Sequence, residues 1–441
     1  MLHWVNNRGA EYRRTSFSRQ ILHPREKAFL IIAVTVGVGA YVKLGLRVLE
    51  YIFIEIISAE SDMPAPDPDM ILDLRGGQMS ALKEALICCQ SAVVVGVFYW
   101  LPLAVAYAAK RARTFKKQGL LALGLTLLYL VPIRHWGTFQ RSTMWDHLLN
   151  YFSVQVRGVP PPTAAAAAGR GGGIMYAVAP HGIVPYSLGL AAFGSLGKLL
   201  HYPAVVSASV IKYIPLFAHM LFWGGAVEAN ADSITQALTA STTTITTTTA
   251  AAADAAAAVA AVAITPGGIA EMFLGHPRVG SHPSEEYAAL RHRKGFVRLA
   301  LNNGATLVPV YVFGASQIFS RLALPAWVEE LSRSMRASLM LFYGRLGLPI
   351  PYKVPLTYAL GRHMQLGIGV AVEVGASAYV APLLRAAVQT AALSMQNVHV
   401  RQSVRQDEVD FVHNIFVSEL TRTFEGNKRL YGWEHKTLKI V

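Results

Sequence analysis

At 441 residues, 53% of them apolar and only 15% charged, the chain can bury a large core but is too apolar for an ordinary soluble enzyme. Its formal net charge of +14 calls for an anionic partner. Lys and Arg are scattered rather than gathered on one face or tail, which argues against nucleic acid and for lipid headgroups or a phosphate-bearing co-substrate. The only cysteines, Cys88 and Cys89, are adjacent in an apolar run, so neither a disulfide framework nor a zinc site is available.

Residues 1–84 read as a polar arm, an interfacial helix and a linker. The stretch from Asn6 to Gln20 is too long and too polar for a secretory signal. Ala28 to Ser58 is apolar but carries Lys43, Arg47 and Glu50, which would be costly at the bilayer centre, so an interfacial helix is favoured over a spanning one. Pro64, Pro66 and Pro68 then interrupt any helix.

Residues 85–133 form the expected membrane anchor. Ala85 to Ala109 is uncharged for about 25 residues, enough to cross a core of about 30 Å, and stops at Lys110 and Arg111. Gly119 to Ile133 is also uncharged but as a helix reaches only roughly 22 Å, so it is the second half of a hairpin or a re-entrant piece.

From Trp145 onward strands alternate with helices. Ile174 to Val178 is a strand that ends at Pro180-His181-Gly182. Ala258 to Thr265 is another, ending at Pro266-Gly267-Gly268. Arg293 to Leu301 has helical spacing, stops at Asn303-Gly304, and leads into the strand Thr306 to Phe313. This predicts an α/β fold for residues 145–441, a mixed, partly parallel sheet with flanking helices, preceded by the transmembrane or re-entrant region. Two low-complexity insertions, 163–173 and 239–257, read as linker and as a Thr/Ala segment without catalytic groups.

In such sheets, sites gather at the C-terminal ends of strands. His181 sits there, where an imidazole could remove a proton from a hydroxyl. Glu271, after the second strand-to-helix switch, could orient that imidazole. It could equally be a first-turn glutamate favoured by the helix dipole. Arg293, Lys294 and Arg298, with Arg291 and His292, form the densest basic cluster at a helix start and suit phosphates, with Gly295 allowing close approach.

Taken together, these blocks resemble the diacylglycerol acyltransferase type 2 family, which includes monoacylglycerol and wax-alcohol acyltransferases. Tyr151-Phe152-Ser153 is similar to its YFP block with Ser153 in place of proline. Ala179-Pro180-His181-Gly182 is similar to its HPHG block with Ala179 in place of the first histidine. Gly267-Gly268-Ile269-Ala270-Glu271 resembles its GGxxE block, and Arg293-Lys294-Gly295-Phe296 its RKGF block. The likeness continues through Leu307-Val308-Pro309 to Gly314 and at Asp410 and His413.

The resemblance implies an enzyme that passes a fatty acyl group from acyl-CoA to diacylglycerol, forming triacylglycerol. The expected setting is the endoplasmic reticulum membrane, with the lipid-droplet surface as a second location. His181 is then the catalytic histidine; its orienter is left unassigned, with Glu271 the best candidate, and Pro180, Gly182, Gly267, Gly268, Arg293, Lys294, Gly295 and Arg298 are expected to bind substrate. Acyl-CoA is a co-substrate; no bound cofactor or metal is expected. Acylglycerol and membrane lipid are the expected partners, and a homo-oligomer is left open. Tyr186 stands where glycerol-phosphate acyltransferases carry the aspartate of their H-x4-D motif, which argues against a lysophosphatidate acceptor. Monoacylglycerol or fatty-alcohol transfer, or a non-catalytic lipid-droplet protein, are the alternatives.

Overall fold

The computed structural model describes residues 70–75, 79–131, 133–161, 172–240, 259–274, 282–322, 340–367, 370–374 and 404–441, with a few positions between 325 and 334. The interfacial helix, the proline linker and most of both insertions lie outside the described residues. The helices used below are α1 (Ala81–Val94), α2 (Val97–Arg111), α3 (Phe115–Leu130), α4 (Met144–Tyr151), α5 (Tyr186–Leu190), α6 (Phe217–Trp223), α7 (Ala231–Thr239), α8 (Gly295–Asn302) and α9 (Gln406–Lys428). The strands are β1 (Met70–Asp73), β2 (Gln155–Gly158), β3 (Ile174–Ala179), β4 (Ala204–Ser207), β5 (Val227–Glu228), β6 (Ala261–Ile264), β7 (Glu285–Ala288), β8 (Thr306–Phe313), β9 (Ser320–Arg321), β10 (Phe342–Tyr343), β11 (Thr357–Leu360), β12 (Met364–Gly367), β13 (Val370–Val374) and β14 (Thr437–Ile440).

The main sheet runs β1-β2-β11-β8-β3-β6-β4-β5, with β12 pairing β8 and β13 pairing β12. Its middle is parallel (β8, β3, β6, β4), and on one side β8–β11 and β1–β2 are antiparallel while β11–β2 is parallel, so the mixed α/β sheet expected from the sequence is present. β3 and β8 are buried along their whole lengths. A near-continuous apolar run is what a strand covered on both faces requires.

Pro309 stands inside β8, where a missing N–H would ordinarily break a ladder. Its carbonyl accepts from Gly361 at 2.9 Å, so its nitrogen faces the same neighbouring strand. There β11 gives way to β12 with a one-residue shift of register. The absent donor therefore falls opposite a bulge rather than opposite a waiting acceptor.

One face of the sheet is covered by α8 and α9. Val409, Val412, Phe416, Leu420 and Phe424 are buried at helical spacing. Phe424 meets Tyr311 at 4.9 Å and Phe296 meets Phe416 at 4.9 Å between ring centroids. α8 stops at Asn303-Gly304, where Gly304 takes φ +59°, a left-handed residue that closes a helix and releases the chain into β8.

The described residues fall into two compact units, 70–111 with 133–441, and 112–131. In the smaller unit α3 is capped by the Thr114 side chain on the Lys117 N–H and carries the uncharged run that begins at Gly119. In the larger unit α1 and α2 belong to the same body as the sheet. Glu84 pairs with Arg345 at 2.5 Å and Lys353 at 2.9 Å. The Tyr99 hydroxyl donates to the Phe342 carbonyl (2.9 Å) and accepts from the Phe342 N–H (2.8 Å).

The sequence predicted one continuous span over Ala85 to Ala109. Instead, α1 and α2 meet at a 62° bend. No single helix among the described residues is long and apolar enough to cross a membrane, while the bent pair together satisfies length and composition. Gly96 lies at the break, where an added Cβ would fall 2.1 Å from the Ala92 carbonyl and 3.0 Å from Pro349. Composition had no means of showing this corner.

A second correction concerns the first insertion. Gly172 and Gly173, read as linker, are wedged into the sheet entrance. A Cβ would lie 2.0 Å from the Gly304 carbonyl at one and 2.6 Å from the Ala260 carbonyl at the other.

Candidate active site

β3 ends at Ala179, and the chain turns through Pro180, His181 and Gly182; the Ala179–Pro180 peptide is cis. Gly182 has φ +69°, and a Cβ there would sit 2.8 Å from the Ala315 carbonyl oxygen. Only glycine fits both demands. His181 is buried, and its Nδ1 lies 2.9 Å from the Gly182 carbonyl. A carbonyl only accepts, so Nδ1 carries the hydrogen and Nε2 keeps its lone pair. Burial pushes the imidazole pKa below its usual value, and the bond to Gly182 opposes this. The ring is therefore a neutral base near pH 7.

Glu271 lies in a short 3-10 helix, Gly268–Phe273, after β6. Its side chain folds back over Gly267, where a Cβ would meet the carboxyl carbon at 2.1 Å. Gly268 takes φ +54° to turn the chain. The sequence suggested that this carboxylate orients the imidazole. It bonds the main chain instead, accepting from the His181 N–H at 2.5 Å and the Ala289 N–H at 2.8 Å. Two donors from separate loops are thereby tied together at the end of the sheet. Burial pushes the Glu271 pKa up to about 7, opposed by those two bonds and by the charge of Arg293.

Arg293 is exposed and acts on Glu271 through its field. Lys294 pairs with Asp410 at 2.9 Å, and Arg298 donates to Gln406, so both are drawn onto the first turn of α9. His413 from the same helix bonds the Leu290 carbonyl at 2.9 Å. Nothing lies within 4 Å of a Cβ built on Gly295, so that flank of the cluster is open. The basic cluster does not line the cavity onto which His181 faces; it lies behind the Glu271 loop.

That cavity measures about 640 Å³, within the roughly 300–1,000 Å³ usual for small-molecule sites. Its walls come from α1 and α2 (Val94, Phe98), the segment after β3 (His181, Tyr186), α6 (Phe217) and the turn of Glu271 (Met272). Most of the lining is apolar. Ser91 and Tyr186 place their hydroxyls 3.4 Å apart on this wall. Sequence reasoning missed α1, α2 and Tyr186 as lining, because an apolar run looks the same whether lipid or substrate touches it.

Two departures from the family blocks have structural settings. Ser153 takes φ +44°, which the proline ring cannot reach. Ala179 is 1% exposed and belongs to the core formed with β8 and α9; it is not part of the cavity lining.

A neutral imidazole at the C-terminal end of a parallel strand thus faces a largely apolar cavity. The chain matches the diacylglycerol acyltransferase family over residues 125–369, more than half its length, and belongs to that family. It is 24% identical to 2-acylglycerol O-acyltransferase 1 of Mus musculus over 69% of this chain and 78% of the relative. It is 27% identical to diacylglycerol O-acyltransferase 2 of Danio rerio over 68% and 71%. The match to 2-acylglycerol O-acyltransferase 1 of Bos taurus is 29% identical but spans only 39% of this chain and 46% of that one. No solved structure gives a significant match.

Proposed function

We propose that this protein transfers a fatty acyl group from acyl-CoA to the free hydroxyl of diacylglycerol, forming triacylglycerol at the endoplasmic reticulum membrane or the lipid-droplet surface. The observation that carries this reading is the His181 ring, tied by Nδ1 to Gly182 and facing the apolar cavity. Nε2 takes the acceptor's hydroxyl proton as that oxygen attacks the thioester carbonyl. The tetrahedral intermediate collapses with loss of the CoA thiolate, which recovers the proton from the imidazolium, leaving ester and free CoA. The oxyanion is held at the Gly182 turn, since the Gly268 N–H is spent on the Thr265 carbonyl at 3.2 Å. Glu271 holds that turn in place, and the open flank beside Arg293 and Gly295 receives the phosphates of CoA. Basic residues at the end of α2, Lys110 and Arg111, suit anionic headgroups.

The relatives' names raise 2-acylglycerol as a second acceptor, and one assay addresses both. Membranes bearing the protein are supplied with labelled acyl-CoA and with diacylglycerol, 2-monoacylglycerol or fatty alcohol. Triacylglycerol is the expected main product. His181→Ala is expected to lower turnover by about 10²–10⁴-fold, and the wild-type rate to fall on the acid side only below the ordinary histidine range, because burial depresses the pKa of His181. Near-normal turnover in His181→Ala overturns the mechanism, and a preference for 2-monoacylglycerol reassigns the acceptor.

A further inference from the structure

Three aromatic rings from three separate elements converge on the cavity wall. Phe98 from α2 meets Phe217 from α6 edge-on at 5.0 Å between centroids. Phe98 also meets Phe342 from β10 at 6.5 Å. All three line the cavity. Edge contacts at these distances leave no gap through which a methylene chain could pass.

The rings are braced from outside. Both bonds of the Tyr99 hydroxyl go to the main chain of Phe342, and the Tyr99 and Phe342 rings sit 5.3 Å apart. Phe319 backs Phe342 at 5.2 Å. Phe217 is itself 7% exposed. A wall tied to both the helix pair and the sheet-side loops yields less than a single flexible side chain would.

We infer that Phe98, Phe217 and Phe342 form the stop against which the methyl end of the donor acyl chain rests, so that these residues set the acyl chain length the enzyme prefers. The inference depends on the acyl-transfer reading above. A cavity of about 640 Å³ suits one extended chain rather than the two of diacylglycerol. The reacting carbonyl must lie at His181, so the chain runs from there to the rings. Each methylene beyond the stop has nowhere to go, and each one short of it leaves surface unburied.

The test measures kcat/KM for saturated acyl-CoA donors of increasing length with one fixed acceptor. Phe98→Ala opens the stop and is expected to raise the long-to-short ratio by roughly tenfold or more, the scale on which apolar pockets discriminate single methylenes. Met220→Trp, one helical turn from Phe217 on the same lining, fills the space and is expected to move the ratio the other way. Opposite shifts are something general destabilisation does not produce. An unchanged donor profile in both variants, with His181-dependent transfer intact, overturns the stop alone. A change confined to the acceptor's chain length also overturns it. A wild-type protein with no transferase activity overturns the functional reading and the stop together.

Discussion

The Glu271 carboxylate takes the main-chain N–H of His181 at 2.5 Å, so it fixes where the His181 turn lies rather than how its ring points. The ring is set one residue further on, by the Gly182 carbonyl at 2.9 Å. Orientation of the ring and placement of its turn are thus the work of two different groups.

Glu271→Gln keeps one acceptor oxygen but turns the other into a donor-only amide NH2, leaving one of the two buried N–H groups unpaired. A loss of about 1–3 kcal/mol of stability is expected, with turnover falling less than in His181→Ala. The pH dependence follows from the raised pKa. Between about 4.5 and about 7 the folded protein holds a proton that the unfolded chain has released. The contribution of Glu271 is therefore fully present below that window and lost as pH rises through about 7. Thermal midpoints in detergent from pH 5 to 8 should show the wild type losing ground to Glu271→Gln up to about pH 7 and none thereafter. Parallel curves would show that the group is ionised throughout.

Gly182→Ala combines φ +69° with a Cβ 2.8 Å from a carbonyl oxygen. The turn must shift, and with it the acceptor that holds Nδ1. A displacement on the order of 1 Å at a catalytic group can cost about 10²-fold in rate. That fall in kcat is the expected outcome, with acyl-CoA KM little changed; steady-state kinetics on matched membranes would reveal a contrary result as a rise in KM with kcat intact.

Ala179→His restores the family residue yet is not expected to restore function. The position is enclosed by the core of β3, β8 and α9, and an imidazole there overpacks it at a cost of about 1–3 kcal/mol. A lowered thermal midpoint without a gain in turnover is expected. Faster turnover at equal stability would mean that the first motif position takes part in the chemistry.

Arg293→Gln and Lys294→Met separate binding from bracing in the basic cluster. Lys294 and Asp410 are each more than a third exposed, so their pair is screened by solvent and contributes little, and its loss should leave the acyl-CoA KM nearly unchanged. Arg293 should raise that KM severalfold, more steeply at low salt. Equal effects in the two variants would show that the cluster acts as one structural unit.

The strands β3, β6 and β8 and the helix α8 were legible because apolar runs end there on Gly, Pro and Asn, whose backbone preferences are local. Placing His181 and Glu271 at one end of the sheet followed from their positions just after two strands, which pair parallel. The partner of the Glu271 carboxylate was not legible, since only folding decides whether main chain or ring comes within reach. Nor was the use of α1 and α2 as a cavity wall, or the 62° corner between them. Both depend on contacts with residues such as Arg345 and Phe342, more than two hundred positions away. The antiparallel edge of β11 and β12 likewise rests on pairing that periodicity does not announce.

The loop that supplies Ala289 to Glu271 is itself held by residues far along the chain: His413 on the Leu290 carbonyl, and Val441 exchanging bonds with Ala288 and Arg291. A polypeptide made from its N-terminus presents α1, α2 and most of the cavity lining before these braces exist. Until residues 406–441 have emerged and docked, the loop that bonds the acidic side chain behind the His181 turn lacks its brace. The growing chain therefore holds most of its cavity lining well before the loops around His181 are fixed.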